Sequence, residues 1–523
     1  MNFMALRNGA VALGVLIWSF ATAHATCEDL AKFPLQNGKI TSAVAVPANA
    51  SIPLKLLKAS IPAPMAFCRV AATLTPTSDS EIMAEVWLPD ADQWNGKFLG
   101  IGNGGFGGSV SGPALDMRRA LAKGYATAGD DLGHELTEIV IDGSWVIGHP
   151  EKLKDFAYRA DHVTAQFAKA MLATYYGRAQ QASYFRGCSN GGHEALMEAQ
   201  RYPADYDAIV AGAPANAWTH IMAGFVWNER ALNETPESEI PKSKLAMIMK
   251  AALAKCDALD GVKDGIINDP ASCHFDPSQL SCKSADGPDC LTKPQLTALK
   301  KIYAGPVDPR TGKRIYPGFP AGSEGLPQNW ETWIVGPAAY QGQFGNQVFG
   351  SFMLGDSHWD YKTFDFDKDT AKADASIGPM LNSDDPDLSA FAARGGKLIL
   401  FQGWDDAAIT PLGTIQYYRD IQKKMGRARA QQFVRLFMAP GMMHCSGGPG
   451  PDHFDAVAAA DQWRQTGEAP ESIVAAKYPD SPAARLGVPT GEPLSTRPLC
   501  AYPRVAHWTG KGSADEAKNY VCR

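Results

Sequence analysis

The segment "RGCSNGGH", residues 186–193, places Ser189 on a short glycine-rich turn. A predicted strand precedes the turn, and a predicted helix with apolar positions at Ala195, Leu196 and Ala199 follows it. This is the strand, turn and helix of a G-x-S-x-G motif, in which the serine is presented as a nucleophile. Glycines beside the serine leave room for a strained turn that larger side chains would block. The pattern favours a nucleophilic Ser189 over an ordinary turn.

A nucleophilic serine needs a base and an acid that orients the base, and in this class of fold they follow in the order Ser, Asp, His. The segment "GKLILFQGWDD" is a predicted buried strand, Lys397 to Gln402, that ends in a turn with Asp405 and Asp406. A second predicted strand, "QQFVRLFMA", leads to a glycine-rich loop that presents His444. Either aspartate alone fits a helix cap and the histidine alone fits a packing role. The ordered combination favours a catalytic triad at the carboxyl ends of strands.

The N-terminal segment has the pattern of a secretory signal. Arg7 precedes the apolar run "AVALGVLIWSFA", and Ala23-His24-Ala25 offers small residues where a signal peptidase cleaves. The alternative is a membrane anchor, but the apolar run is shorter than the roughly 20 residues that span a bilayer. We therefore expect residues 1–25 to be a signal peptide, and the mature chain to be secreted or periplasmic and not attached to a membrane.

Ten cysteines in an exported chain favour complete disulfide pairing. Proximity in the sequence predicts three short loops, closed by Cys256–Cys273, Cys282–Cys290 and Cys500–Cys522. Cys27 and Cys68 fall together near the predicted mature N-terminus, which leaves Cys188 and Cys445. If His444 approaches Ser189, these two neighbouring cysteines also come within disulfide distance. The predicted pairing and the predicted triad therefore support each other.

Composition and charge exclude other classes of protein. With 523 residues, 45% of them hydrophobic and 20% charged, the chain has the composition of a globular enzyme with one enlarged domain or two. The net charge of −6 and the lack of a long basic run give no electrostatic footprint for nucleic acid or anionic membranes. We expect no nucleic-acid partner.

Three motifs make the chain similar to the tannase and feruloyl esterase family, to which the bacterial mono(2-hydroxyethyl) terephthalate hydrolases belong. The motifs are "GCSNGG" at 187–192, "GWDD" followed by "ITP" at 403–411, and "PGMMHCSGGPG" at 440–450. The resemblance covers nearly all of the predicted mature chain. It implies a serine esterase of α/β-hydrolase fold with Ser189, Asp406 and His444 as the triad. Asp406 is selected over Asp405 because the family's acid follows the glycine by three residues.

The glycine-rich segment "KFLGIGNGGFGG", residues 97–108, has two interpretations. Its G-x-G-x-x-G spacing is that of a dinucleotide-binding turn, but an exported, disulfide-rich chain disfavours a nicotinamide enzyme, and we expect no organic cofactor. In an α/β hydrolase the same loop and the residue after the nucleophile form the oxyanion hole. We expect the backbone N–H groups of Gly105 and Asn190 to be the donors, with Gly104 as the alternative to Gly105.

The segment "KCDALDGVKDGIIND", residues 255–269, is a candidate metal site. The five possible oxygen ligands are the carboxylates of Asp257, Asp260 and Asp264 and the carbonyls of Val262 and Ile266. Spacing alone leaves a polar surface turn equally open. The family resemblance implies a structural calcium ion, which we expect to brace an inserted lid far from the chemistry.

The resemblance also predicts the architecture, a doubly wound α/β-hydrolase sheet with a large inserted lid domain. Residues 26–214 and 387–523 are expected to form the hydrolase core. Residues 215–386 are expected to form the lid and to contain the calcium site.

The lid sequence bears on the substrate. Five aromatic residues fit either a wall for a planar acyl group or lid core: Trp330, Trp333, Phe344, Phe349 and Phe352. The stretch 340–361 has no Arg or Lys to bind the carboxylate of a terephthalate monoester. We therefore expect a small aromatic ester, feruloyl or another hydroxycinnamoyl ester, free or attached to plant polysaccharide. Gallate esters and terephthalate monoesters are the alternatives, in that order.

A noncatalytic carbohydrate-binding protein is the alternative from another class. The 12 tryptophans favour it. It gives no reason for a serine, an aspartate and a histidine in the order of a triad, so the esterase remains the preferred interpretation.

Overall fold

A nine-stranded sheet forms the centre of the structure, a computed structural model that describes residues 25–136, 138, 141–481, 489 and 491–523. The predicted signal peptide lies outside these residues, apart from Ala25. The strands are β1 (Gly38–Val46), β2 (Ser51–Leu54), β3 (Ala59–Pro62), β4 (Phe67–Leu74), β5 (Ile82–Pro89), β6 (Lys97–Ile101), β7 (Ala126–Asp130), β8 (Ala182–Cys188), β9 (Ala208–Gly212), β10 (Lys397–Gly403), β11 (Val434–Ala439), β12 (Ser472–Lys477), β13 (Ser495–Cys500), β14 (Ala506–Trp508) and β15 (Tyr520–Cys522).

Helices cover both faces of this sheet or lie between β9 and β10. They are α1 (Ala114–Ala122), α2 (Pro150–Lys154), α3 (Ala160–Tyr176), α4 (Asn190–Arg201), α5 (Trp218–Leu232), α6 (Lys242–Cys256), α7 (Lys293–Ala304), α8 (Trp330–Trp333), α9 (Tyr340–Gln347), α10 (Lys368–Ser376), α11 (Gly378–Leu381), α12 (Ser389–Ala393), α13 (Pro411–Met425), α14 (Arg427–Ala430) and α15 (Ala456–Thr466). Short 3-10 or π-helical turns extend several of them. Among the described residues, no helix combines the length and the apolar character needed to cross a membrane.

The strand order of the sheet is β1-β4-β5-β7-β6-β8-β9-β10-β11. Strands from β7 to β11 in this order run parallel, whereas β1, β4 and β5 pair antiparallel at one end. This confirms the predicted α/β class with a doubly wound sheet.

The chain reverses its winding direction around β6. From β6 it moves outward to β7, and it then returns to β8 on the other side of β6 before continuing to β9. Ligands of open α/β sheets bind in the crevice at the carboxyl ends of strands where the winding reverses. The loops after β6 and β8 therefore meet at the natural position of a site.

The core lies on both faces of the sheet because successive side chains of a strand point in opposite directions. Along β10, Leu398 and Leu400 join the cluster on one face, and Ile399 and Phe401 join the cluster on the other. Because both faces of β10 are buried, its sequence is the continuous apolar run "LILF".

The segment between β9 and β10 is helical and has a core of its own. Helices α5 to α12 lie in it, and residues such as Leu245, Leu299, Trp330 and Ile334 form a separate buried cluster. The nine-stranded sheet takes no strand from this segment. That this segment is a distinct lid domain with bounds 215–386 stays a prediction.

The structure contains all five predicted disulfides: Cys27–Cys68, Cys188–Cys445, Cys256–Cys273, Cys282–Cys290 and Cys500–Cys522. Four of them close loops of the chain between neighbouring segments. Cys188–Cys445 is different, because it joins residues separated by 257 positions.

Candidate active site

Ser189 lies on the turn between β8 and α4 in a conformation that few residues adopt. Its backbone has φ 65° and ψ −122°, in the region that costs a non-glycine residue about 1–3 kcal/mol. The surrounding turn holds it there: the Ser189 N–H donates to the Gly212 carbonyl at 3.0 Å, and the Ser189 carbonyl accepts from the Ala215 N–H at 3.1 Å. A Cβ on Gly187 would lie 2.1 Å from the Gly191 carbonyl oxygen. Strand and helix can therefore meet this closely only with glycine at that position.

Asp406 and His444 are paired at the ends of β10 and β11. The His444 Nδ1–H donates to Asp406 Oδ2 over 2.8 Å. Asp406 is 1% exposed and also accepts from the Gln402 side-chain amide at 2.7 Å and from the Ala408 and Ile409 N–H groups at 2.8 and 2.9 Å. These four donors compensate the burial of the carboxylate. The carboxylate in turn fixes the tautomer and the orientation of the imidazole.

Asp405 has a different environment from Asp406, although both are buried. Burial, and then the nearby charge of Glu324, raise the pKa of Asp405 to about 8. Its side chain accepts no hydrogen bond from any described residue, and it does not contact the imidazole. The structure therefore places Asp406, rather than its neighbour, against the base.

The disulfide between Cys188 and Cys445 links the turn of the nucleophile to the loop of the base. Its Cα–Cα distance is 6.0 Å, and each cysteine is the chain neighbour of one triad residue. Cys445 has φ 63°, so the loop turns sharply at this point. The bridge holds together two loops that are far apart along the chain.

Ser189 and His444 face the same cavity. Among the described residues no hydrogen bond joins the Ser189 hydroxyl to the imidazole, as is frequent in ligand-free pairs of nucleophile and base. Their position at one cavity is compatible with proton transfer between them.

Two backbone N–H groups beside Ser189 have no partner among the described residues, those of Gly105 and Asn190. The Gly104 N–H, in contrast, donates to Asn103 Oδ1 at 3.0 Å. Because a donor that is already used is a poor ligand for a developing anion, the geometry favours Gly105 over Gly104. Gly105 and Asn190 both line the cavity, as an oxyanion hole requires.

The cavity has a volume of about 300 Å³ and an apolar wall. Its side chains come from the loops beside Ser189, from α5 and from the segment 333–344. The larger apolar contributors are Trp218, Met222, Phe225, Trp333, Phe344 and Ile409. Among the described residues, no lysine or arginine lines it. An aromatic or other flat apolar group fits this wall.

Of the five aromatic residues considered from the sequence, only two reach this cavity. Trp333 packs edge-on against the His444 ring with 5.2 Å between centroids, and Phe344 lies beside Gly105. Trp330 and Phe349 are fully buried elsewhere, and Phe352 packs on Phe106 at 5.1 Å. These three are therefore core.

Sequence reasoning missed the part of the wall contributed by α5. Trp218, Met222 and Phe225 follow each other at intervals of four and three residues, the spacing of one helix face. That periodicity predicts a buried face. It does not distinguish a face packed on core from a face that lines a cavity.

The segment proposed to bind calcium partly fits a cation. Asp260 Oδ2 is buried and has no hydrogen-bond partner among the described residues, and burial raises the pKa of this carboxyl. Asp257 accepts from the N–H groups of Asp264 and Gly265 at 3.1 Å. Asp264 pairs with Arg497 at 2.5 Å. The orphaned oxygen is what a cation would satisfy.

Comparison with known proteins identifies a family for this chain. The family model described as tannase and feruloyl esterase matches residues 68–523. An uncharacterised esterase of Xanthomonas campestris pv. campestris is 41% identical over 99% of this chain and 94% of its own. The mono(2-hydroxyethyl) terephthalate hydrolase of Piscinibacter sakaiensis is 34% identical over 82% of this chain and 80% of its own.

A solved structure extends the comparison to the fold. The crystal structure of feruloyl esterase B from Aspergillus oryzae matches with a TM-score of 0.85 and 28% identity. The match covers 95% of this chain and 99% of that chain.

The two neighbouring aspartates generate the first prediction. Asp406→Asn should lower kcat for a p-nitrophenyl ester by about 10⁴-fold, because the amide no longer stabilises the imidazolium or fixes its tautomer. Asp405→Asn should leave kcat within about threefold. It should also raise the melting temperature at pH 8, since a carboxyl with a raised folded-state pKa destabilises the native state as pH rises from about 4 to 8. A larger rate loss for Asp405→Asn would contradict the assignment.

The disulfide beside the triad generates the second prediction. The double variant Cys188→Ala/Cys445→Ala should lower kcat by about 100-fold, because a displacement of about 1 Å between catalytic groups has effects of this size. Cys282→Ala/Cys290→Ala, which removes a bridge away from the site, is the matched control and should lose stability but little kcat. Equal kcat values for the two double variants, measured well below their melting temperatures, would show that the bridge does not position the triad.

Proposed function

The chain belongs to the tannase and feruloyl esterase family and is a carboxylic ester hydrolase, and we propose that it hydrolyses hydroxycinnamoyl esters, feruloyl esters among them, with Ser189 as nucleophile. The observation that carries the proposal is the apolar cavity into which Ser189 and His444 both face and to which the described part of the chain contributes no lysine or arginine. Such a cavity suits a flat acyl group and contains the groups needed to cleave its ester.

The proposed mechanism assigns each step to one group. The Ser189 hydroxyl attacks the ester carbonyl while His444 takes its proton, and the Asp406 carboxylate stabilises the resulting imidazolium. The Gly105 and Asn190 N–H groups bind the oxyanion. His444 then protonates the departing alcohol. Water, activated by the same imidazole, hydrolyses the acyl-enzyme and regenerates the serine.

The lining of the cavity supports the choice among aromatic acids. A terephthalate monoester carries a second carboxylate, which needs a cation to compensate its desolvation, and none of the described lysines and arginines lines the cavity. A galloyl group carries three hydroxyls that need polar partners, whereas the wall is built mainly from Trp, Phe, Met and Ile side chains. A hydroxycinnamoyl group needs the fewest polar partners of the three acyl groups.

We extend the proposal to export from the cytoplasm. Five disulfides favour an oxidising compartment, and the N-terminal segment has the pattern of a signal peptide. In that location the enzyme would meet hydroxycinnamoyl groups attached to plant polysaccharide as well as small free esters.

We also propose a structural calcium ion in the segment 257–266. The carboxylates of Asp257, Asp260 and Asp264 and the carbonyls of Val262 and Ile266 would hold it. Both carbonyls are without a hydrogen-bond donor in the described part of the chain, and Asp260 Oδ2 lacks one as well. The ion would take no part in the chemistry, and would brace a loop that the Cys256–Cys273 bridge also closes.

A substrate panel tests the proposed activity. Methyl ferulate should have a higher kcat/KM than methyl gallate or mono(2-hydroxyethyl) terephthalate, because neither of the other acyl groups finds polar partners in the cavity. Ser189→Ala is the control. Its kcat should fall by several powers of ten, so that no hydrolysis is measurable. A lead of more than tenfold for gallate or terephthalate, about 1.4 kcal/mol in transition-state binding, would overturn the acyl assignment. Undiminished hydrolysis by Ser189→Ala would overturn the mechanism.

Removal of calcium tests the metal proposal. Chelation should lower the melting temperature by several degrees, since an ion that binds only the folded state stabilises it. Asp260→Asn should abolish this response, whereas Asp289→Asn, a change at an exposed aspartate elsewhere between β9 and β10, should keep it. An unchanged melting temperature, with no calcium in the purified protein by elemental analysis, would exclude the ion.

A further inference from the structure

Glu194 is a buried carboxyl that no step of the proposed mechanism uses. It lies on α4, one turn after Asn190, and is 2% exposed. Its Oε1 accepts from the Asn190 side-chain amide at 2.8 Å, and its Oε2 accepts from the Asn103 backbone N–H at 2.9 Å. One carboxyl therefore contacts both segments that supply the oxyanion donors.

Asn103 transmits this contact to the glycine-rich loop. Its side-chain amide donates to the carbonyls of Ser109 and Asp130 at 3.1 and 3.0 Å, and its Oδ1 accepts from the Gly104 N–H at 3.0 Å. These bonds define the path of the backbone up to Gly105. The position of the Gly105 N–H thus depends on Asn103, and the position of Asn103 depends on Glu194.

The close approach of the carboxyl is built into the sequence. A Cβ on Gly102 would lie 2.7 Å from Glu194 Oε2 and 2.8 Å from the Gly191 Cα. Only glycine at this position lets the end of β6 approach both the helix and the carboxyl.

We propose that Glu194 is a positioning residue for the oxyanion hole: it fixes the Gly105 N–H relative to the Asn190 N–H, so that both donors point at one oxygen. The inference rests on the proposed function, because it assumes the serine mechanism. Glu194 does not touch the substrate in this role. Its effect should appear in the stabilisation of the transition state and not in the binding of the ground state.

The charge of Glu194 matters because Asn103 and Asn190 both donate to it, while its third hydrogen-bond partner, Asp161, is a carboxyl that can share a proton with it. A protonated carboxyl would direct an O–H at one of them. The titratable groups that interact with it are acids: Asp130 of β7, Asp161 of α3 and Glu198 of α4. Burial, and then the charge of Asp130, raise the pKa of Glu194 to about 8. The accepting form therefore gains population as pH rises through this value, and kcat should rise with it.

Glu194→Gln tests the role, with Glu198→Gln as the matched control. Glu198 lies one turn further along the same helix, is equally buried, and its carboxyl oxygens have no hydrogen-bond partner among the described residues. Glu194→Gln should lower kcat by about 10–100-fold with KM within twofold, and should lose the ionisation near pH 8 from the kcat profile. Glu198→Gln should keep kcat within about threefold and retain that ionisation.

Two inhibitors separate transition-state from ground-state binding. Phenylboronic acid, which forms a tetrahedral adduct with the serine, should bind Glu194→Gln at least 10-fold more weakly. Ferulate, a product, should bind as well as it binds the unaltered enzyme. If Glu194→Gln matches Glu198→Gln in kcat and in boronate affinity, or changes only KM, the proposal is wrong.

Two further variants keep the test decisive. If Glu194→Gln does not fold, Asn190→Ala removes one of the two contacts and leaves the carboxyl in place; a lower kcat at constant KM supports the role and an unchanged kcat overturns it. Ser189→Ala separates this inference from the function on which it rests. Full activity in Ser189→Ala would refute the proposed function, whereas normal rates in Glu194→Gln beside an inactive Ser189→Ala would refute only the role of Glu194.

Discussion

The positive φ of Ser189 is the constraint on which the rest of the site depends. A serine holds this conformation only where neighbouring backbone leaves it no alternative, and the contacts of Gly187 with Gly191 and of Ser189 with Gly212 supply that restriction. The strained turn directs the hydroxyl away from the sheet and leaves the Asn190 N–H at a free helix end. Both consequences follow from one turn, so the proposed nucleophile and the proposed oxyanion donor cannot be displaced independently of each other.

The sheet adds the remaining groups at fixed positions. Because β6, β8, β9, β10 and β11 are parallel neighbours, the loops after β6, β8, β10 and β11 all open at the same edge. Pairing of Ile101 with Arg186 brings the glycine-rich loop beside the nucleophile turn. The buried polar network of Asn103, Glu194 and Asn190 then sets the details that strand pairing leaves open. The topology of the sheet thus determines which loops meet, and buried hydrogen bonds determine the exact positions of the groups on those loops.

Sequence patterns predicted the features that depend on local chemistry. The turn of Ser189, the strand Lys397 to Gln402, which extends to Gly403 in the structure, and the order of the triad residues all carry signals within a few residues. The cavity wall carries no such local signal. Trp330 and Trp333 are both aromatic, and only tertiary packing buries Trp330 and exposes Trp333 to the cavity. The contact of Glu194 with Asn103 was equally invisible, since it joins residues 91 positions apart.

The bridge between Cys188 and Cys445 also has a topological consequence. It closes a covalent ring that contains β9, all of the helices from α4 to α14, and β10 and β11, with its point of closure beside Ser189. A protease that cuts one exposed loop within the ring leaves two fragments that are still joined at the catalytic centre. Segments of the ring can also lengthen or shorten over evolution while its two ends stay fixed. The cavity wall can therefore diverge without separating Ser189 from His444.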